Sequence, residues 1–162
     1  MKHEKVAFIG LPSVGKTSII TLLSENRTVT KYNPTIGINF GSVTLGECEV
    51  SLFDIAGQDR FKFLWDDFMR GAKVIFVVTD STPKNVLNTR KIIEEFGKNR
   101  PNCVVLAIAN KQDLPGAMKP SQVEDILNVK TYGMVAIDPS KRVGMCRILK
   151  RALEQLVNKD SN

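Results

Sequence analysis

The sequence predicts an α/β domain: a six-stranded, mostly parallel sheet with one antiparallel strand and helices on both faces. Three observations carry this. Apolar strand-like runs alternate with helix-patterned segments along the chain. Two of those runs, residues 74–78 and 104–108, are apolar at every position, as strands covered on both faces are. The first run, residues 6–9, passes through a glycine-containing loop straight into a helix-forming stretch at residues 18–23.

At 162 residues the chain is expected to be one domain, 1–162, long enough for a full core. With 43% hydrophobic and 25% charged residues, neither disorder nor a coiled coil is indicated. Cys48, Cys103 and Cys146 are dispersed, odd in number and without metal spacing, so they read as reduced, mostly buried thiols of a cytoplasmic protein. His3 stands alone and forms no ligand set. No apolar stretch approaches a membrane span, and the first five residues are no signal peptide. Lys2 is not a myristoylation site and Asp160-Ser161-Asn162 is no prenylation box, so no lipid anchor is expected.

The formal charge of +6 is partly gathered at Lys141, Arg142, Arg147, Lys150 and Arg151, the last three on one helical face. A solvated face is the favoured reading over an acidic partner, and membrane contact is at most weak and peripheral. No aromatic residues interleave with these charges, and no nucleic-acid partner is expected.

Taken in order, the first helix is followed by a polar segment, residues 24–33. Two strands near 38–45 and 47–53 meet at Gly46; so tight a link makes a hairpin, hence the antiparallel exception. After the strand at 74–78, Thr82-Pro83 provides a cap and first helical residue for a helix carrying Val86, Leu87, Ile93 and Phe96. Residues 120–124 resemble a capping box before a short helix. A last strand near 132–137 leads to a helix with Met145, Leu149, Ala152, Leu153 and Leu156 at helical spacing. In such sheets ligands sit beyond the strand C-termini, where Gly10, Asp54, Asp80, Asn110 and Asp138 fall.

The loop Gly10-Leu11-Pro12-Ser13-Val14-Gly15-Lys16-Thr17 has the G-x-x-x-x-G-K-[ST] pattern in its strand–loop–helix context. Glycines let the backbone approach phosphate oxygens. The amides of Ser13, Val14, Gly15, Lys16, Thr17 and Ser18, at a helix N-terminus, form an anion cradle. Lys16 brings charge to the β/γ-phosphates, and Thr17 offers a hydroxyl to Mg²⁺.

Two further signals narrow the ligand. Asp54 ends an apolar strand and precedes Ile55-Ala56-Gly57-Gln58. It can orient Mg²⁺, the Gly57 N–H can sense a γ-phosphate, and Gln58 can hold the attacking water. Asn110-Lys111-Gln112-Asp113 follows another strand. Asp113 can accept from the guanine N1–H and exocyclic amine, a donor pair adenine lacks. The Lys111 stem can cover the base face.

With these motifs in order, the chain resembles the small GTPases of the Ras superfamily, and within them the Arf-like branch, from residue 5 to about 157. The resemblance implies a P-loop NTPase G domain with GTP/GDP as ligand and Mg²⁺ as cofactor. It makes Asn33-Pro34-Thr35-Ile36-Gly37 a switch I motif, with Thr35 joining Mg²⁺ and the γ-phosphate. Asp54 to Gln58 would open switch II, so regions near 28–40 and 56–72 would engage an exchange factor, a GTPase-activating protein and effectors. Leu64-Trp65 and the Asn110–Met118 segment are Arf-like, whereas Ala56, Phe61 and Arg70-Gly71-Ala72 look more like Ras or Rab, the mixture of a divergent member.

Several departures follow. Lys2 stands where Arf proteins carry an acylated glycine, and Pro12 lacks an N–H. Anchoring the final helix on Gly144-Met145 places Asp138-Pro139-Ser140 in the last guanine-contacting loop, where Pro139 again lacks the N–H and affinity is expected to fall by about 1–3 kcal/mol. Lys16, Gly57 and Gln58 are the expected catalytic groups, Thr17, Thr35 and Asp54 the metal ligands. Arg27 and Arg60 read as solvated, not as built-in arginine fingers. Ile38, Phe53 and Phe68 match the Arf-like effector triad but fit core positions equally well. A guanine-binding scaffold without turnover and an ATP-using P-loop enzyme are the alternatives.

Overall fold

The computed structural model describes residues 1–24, 38–97 and 100–161, apart from the side chains at 60, 61, 159 and 160. Six strands are described: β1 Lys2–Gly10, β2 Ile38–Leu45, β3 Cys48–Ile55, β4 Val74–Thr79, β5 Val104–Ala109 and β6 Thr131–Gly133. They lie in the order β2-β3-β1-β4-β5-β6. Every neighbouring pair is parallel except β2 and β3, the hairpin turning at Gly46 with φ 61°. A glycine suits that turn because it enters the left-handed region without a Cβ penalty.

Side chains of a strand alternate between faces, and here each face has its own helices. Val6 and Phe8 of β1 join Phe76, Leu106 and Ile108 beneath α1 (Lys16–Leu23) and α5 (Arg142–Asp160). Ala7 and Ile9 join Ile75, Val77 and Ala107 beneath α2 (Trp65–Met69), α3 (Pro83–Phe96) and α4 (Pro120–Leu127). Phe8 stacks on Phe76 at 5.2 Å, and Trp65 lies 4.9 Å from Phe96. The expected α/β architecture is the observed one.

Several local expectations are corrected. Leu87 faces solvent, 53% exposed, while Ile92 takes the buried position on α3. β6 is confined to three residues, so the segment to residue 137 is loop. The N-cap of α4 is Lys119, with no side-chain oxygen to cap; only the return half of the box forms, as Gln122 Oε1 accepts from the Lys119 N–H at 3.0 Å. The three cysteines are half-buried, not buried. Ile38 is fully buried, so for this member of the apolar triad the core reading holds; Phe53 and Phe68 are half-buried. Among the described residues no helix is long and apolar enough to cross a membrane. Arg147, Lys150 and Arg151 are all exposed.

Candidate functional site

The C-terminal end of β1 delivers the chain into the loop at residues 10–17, and α1 begins directly after Gly15. Gly15 has φ 103°, and a Cβ there would strike the Asn110 amide. Gly57 is equally constrained, since a Cβ would run into the Gly10 carbonyl and come 2.7 Å from Pro12 N. Gly57 thus meets the loop at residues 10–12 at backbone distance, and Gly15 leaves room for the Asn110 side chain. Ser13 adopts φ 63°, a left-handed conformation that non-glycine residues rarely take and that tends to mark sites.

Lys16 is only 6% exposed, and its Nζ donates to the carbonyls of Leu11 at 2.9 Å and Gly10 at 3.2 Å. Burial pushes its ammonium down from 10.5 to about 8, with the Asp54 carboxylate pulling the other way. A cation this poorly hydrated gains from an approaching anion.

Beside it, Thr17 Oγ1 donates to Asp54 Oδ2. Asp54 is 4% exposed and takes a second bond on the same oxygen, from Asn39 Nδ2 at 3.0 Å. Asn39 also reaches Thr17 Oγ1 at 3.4 Å. A hydroxyl and a carboxylate converging at one corner are hard oxygen donors, the chemistry Mg²⁺ prefers; one or two such groups plus substrate phosphates suffice for it. Among the described residues no three His, Cys, Asp or Glu converge, so these oxygens fit that mode and not a protein-only cage. Thr35, the remaining expected ligand, and Arg27 lie outside the described residues, as does the side chain of Arg60.

These groups line a cleft of about 540 Å³ that also includes Ser13, Gly15, Ser18, Gly57, Gln58 and Lys111. It continues into a smaller cavity of about 120 Å³ walled by Asn110, Asp113, Leu114 and residues 135–137, with Gly15, Ser18, Lys111 and Ile137 common to both. Asn110 is 3% exposed: its Nδ2 donates to the Val14 carbonyl at 3.0 Å and its Oδ1 accepts from the Ala136 N–H at 3.0 Å. Lys111, at φ 61°, sends its Nζ to the Ser13 carbonyl at 2.7 Å. The Asp113 carboxylate is exposed at the cavity edge. A ligand with an anionic end and a flat polar end fits this outline.

The loop after β6 departs from expectation. The structure sets Val135, Ala136 and Ile137, not Pro139 and Ser140, against Asn110 and Asp113. The reason is a slip of register: α5 begins at Arg142, two residues before the Gly144 anchor, and a short 3₁₀ turn at Pro139–Lys141 leads into it. Pro139 lines a neighbouring groove with Arg142 and Thr21. No described hydrogen bond uses the Ile137 N–H.

Two carboxylates expected at strand ends are local caps, and Asp138 lies in the loop beyond β6. Asp80 Oδ1 accepts from the Thr82 N–H at 2.9 Å and its hydroxyl at 2.7 Å. Asp138 Oδ1 accepts from the Ser140 N–H at 2.9 Å and hydroxyl at 2.8 Å, and these bonds hold the Asp138 carboxyl below the usual range.

Sequence reasoning missed Asn39 and a brace behind the base loop, where Gln112 Nε2 donates to Ser81 Oγ and the Met118 carbonyl, both at 2.9 Å. Ser81 Oγ in turn donates to the Asn110 carbonyl at 2.6 Å. For Asn39 a signal existed: it and Asp54 are equally distant from the Gly46-Glu47 turn, so the hairpin register sets them opposite.

The sequence profile of the ADP-ribosylation factor family matches residues 1–159 of the chain. Among solved structures, the chain is similar to the Arl6 BBS3 small GTPase from Trypanosoma brucei, determined with a bound nucleotide analogue, GppNp. The TM-score is 0.78 and the identity 20%, over 96% of this chain and 99% of that one. At that identity the likeness speaks for the fold.

Proposed function

The chain belongs to the ADP-ribosylation factor family, and from that premise we propose that it is a Mg²⁺-dependent guanine-nucleotide switch of the cytoplasm that hydrolyses GTP to GDP slowly. The observation that carries the reading is the continuity of the cleft from Lys16 to Asp113, with Asn110 bonded to both of its walls. In this reading Lys16 and the loop amides hold the β- and γ-phosphates, and Asp113 selects guanine. The Ile137 N–H, and not a residue at 139, faces the base carbonyl. Thr17, Asp54 and, by resemblance, Thr35 hold Mg²⁺, which when bound neutralises charge on the phosphate oxygens. Gln58, exposed on the cleft wall, orients the attacking water.

Partners follow from the same premise: an exchange factor, a GTPase-activating protein that supplies an arginine, and effectors that read residues 28–40 and 56–72. Pro12 on the cleft wall lacks an N–H for a phosphate oxygen, which is the observation favouring a guanine-binding scaffold without turnover.

The nucleotide carried by purified protein tests binding and base together: GDP or GTP is expected, and adenosine forms or none would overturn the reading. Single-turnover GTP hydrolysis then separates switch from scaffold. A slow rate that drops at least tenfold in Gln58→Leu is expected, and no turnover in either protein would leave the scaffold.

A further inference from the structure

A carboxylate's terminal torsion is broad and two-fold, so an aspartate at a metal corner is aimed by what bonds to it. Asp54 is aimed from two sides. The Thr17 hydroxyl donates to Oδ2 from α1, and the Asn39 amide donates to the same oxygen at 3.0 Å from β2. Asn39 is the direct cross-strand partner of Asp54 and also contacts Thr17 Oγ1 at 3.4 Å. It lines the phosphate end of the cleft while remaining half-buried. Its amide therefore touches both oxygen donors of the corner and is itself neutral.

We propose that Asn39 is a positioning residue for the metal: it sets the orientation of Asp54 and Thr17 so that Mg²⁺ binds the nucleotide complex tightly. The inference rests on the Mg²⁺–nucleotide reading above and adds to it a residue of a different element. The amide acts through donation, not charge, holding Oδ2 and leaving Oδ1 to serve the metal or its waters. Outer partners of this kind change metal affinity by about 10–100-fold when removed.

The test is release of N-methylanthraniloyl-GDP from the full chain, followed by fluorescence across a Mg²⁺ titration and again in excess EDTA. Asn39→Ala removes the donor, and Asn39→Leu removes it while keeping the volume and the strand. Both variants are expected to need about tenfold more Mg²⁺ to slow release half-maximally, with the EDTA rate unchanged. Curves that superpose on the parent's would overturn the proposal. So would a rise in the EDTA rate equal to that in Mg²⁺, because Asn39 would then support the fold or the nucleotide and not the metal. If the parent protein retains no labelled GDP at any Mg²⁺ concentration, the nucleotide reading fails and this one with it; a parent that retains it while the variants match isolates the failure to Asn39.

Discussion

Asn110 is bonded to Val14 across 96 positions of sequence, and that contact, with the bond from Lys111 to Ser13, joins the loop holding Asp113 to the loop holding Lys16. The other end of the same amide accepts from Ala136, so three loops close on one buried side chain. Asn110→Ala strands a carbonyl and an N–H that water reaches poorly. A loss of about 2–4 kcal/mol is expected, read as a fall in the thermal midpoint of roughly 5–15 °C. A midpoint within a degree or two of the parent's would show that the loops hold together without it.

Base choice is assigned to Asp113, whose exposed carboxylate sits at the rim of the smaller cavity. Charge-assisted bonds to two guanine donors are the strong kind, though solvent at the rim weakens them. Asp113→Ala is expected to weaken GDP about 10–100-fold and leave ADP binding as poor as before. Competition of both nucleotides against a fluorescent analogue measures it. An equal loss for the two would mean that the residue shapes the loop and does not read the base.

Pro139 lies outside the cavity that Ile137 lines. Pro139→Ala is therefore expected to change GDP affinity by less than about twofold, whereas Ile137→Pro, which deletes the unused N–H, weakens it roughly 5–150-fold, the span of one hydrogen bond to a buried group. Isothermal titration of both variants decides. Tightening by Pro139→Ala would restore the register in which residue 139 meets the base.

That register shows where sequence reading stopped. The phosphate loop, Asp54 and Asn110 were legible because each combines a residue type with a strand end that only a few chemistries use. The final helix was misplaced because Gly144 reads as a boundary, yet the helix starts at Arg142 and runs through it. In the sequence Asp80 and Asp138 read as strand-end carboxylates like Asp54, but only coordinates show that Asp138 lies in a loop and that their oxygens are spent on Thr82 and Ser140. Asn39 was hidden for the opposite reason: its meaning lies in a pairing across the hairpin, not in its own neighbours.

Lys16 links nucleotide binding to pH. Burial lowers its ammonium to about 8 in the folded chain, against an ordinary 10.5, so between those values the unfolded chain holds more protons. The burial cost of the charged form is then present in full below about pH 8, and the stability of the chain without nucleotide rises as pH climbs from there toward 10.5. A diphosphate beside the ammonium favours its charged form and raises the value again. Binding of GDP near pH 8 is therefore expected to take up about half a proton, and affinity falls as pH rises further. Calorimetry at pH 8 in two buffers of different ionisation enthalpy reads the uptake directly. Identical heats, or affinity that holds constant to pH 9.5, would mean that Lys16 keeps its proton throughout and meets the phosphates already charged.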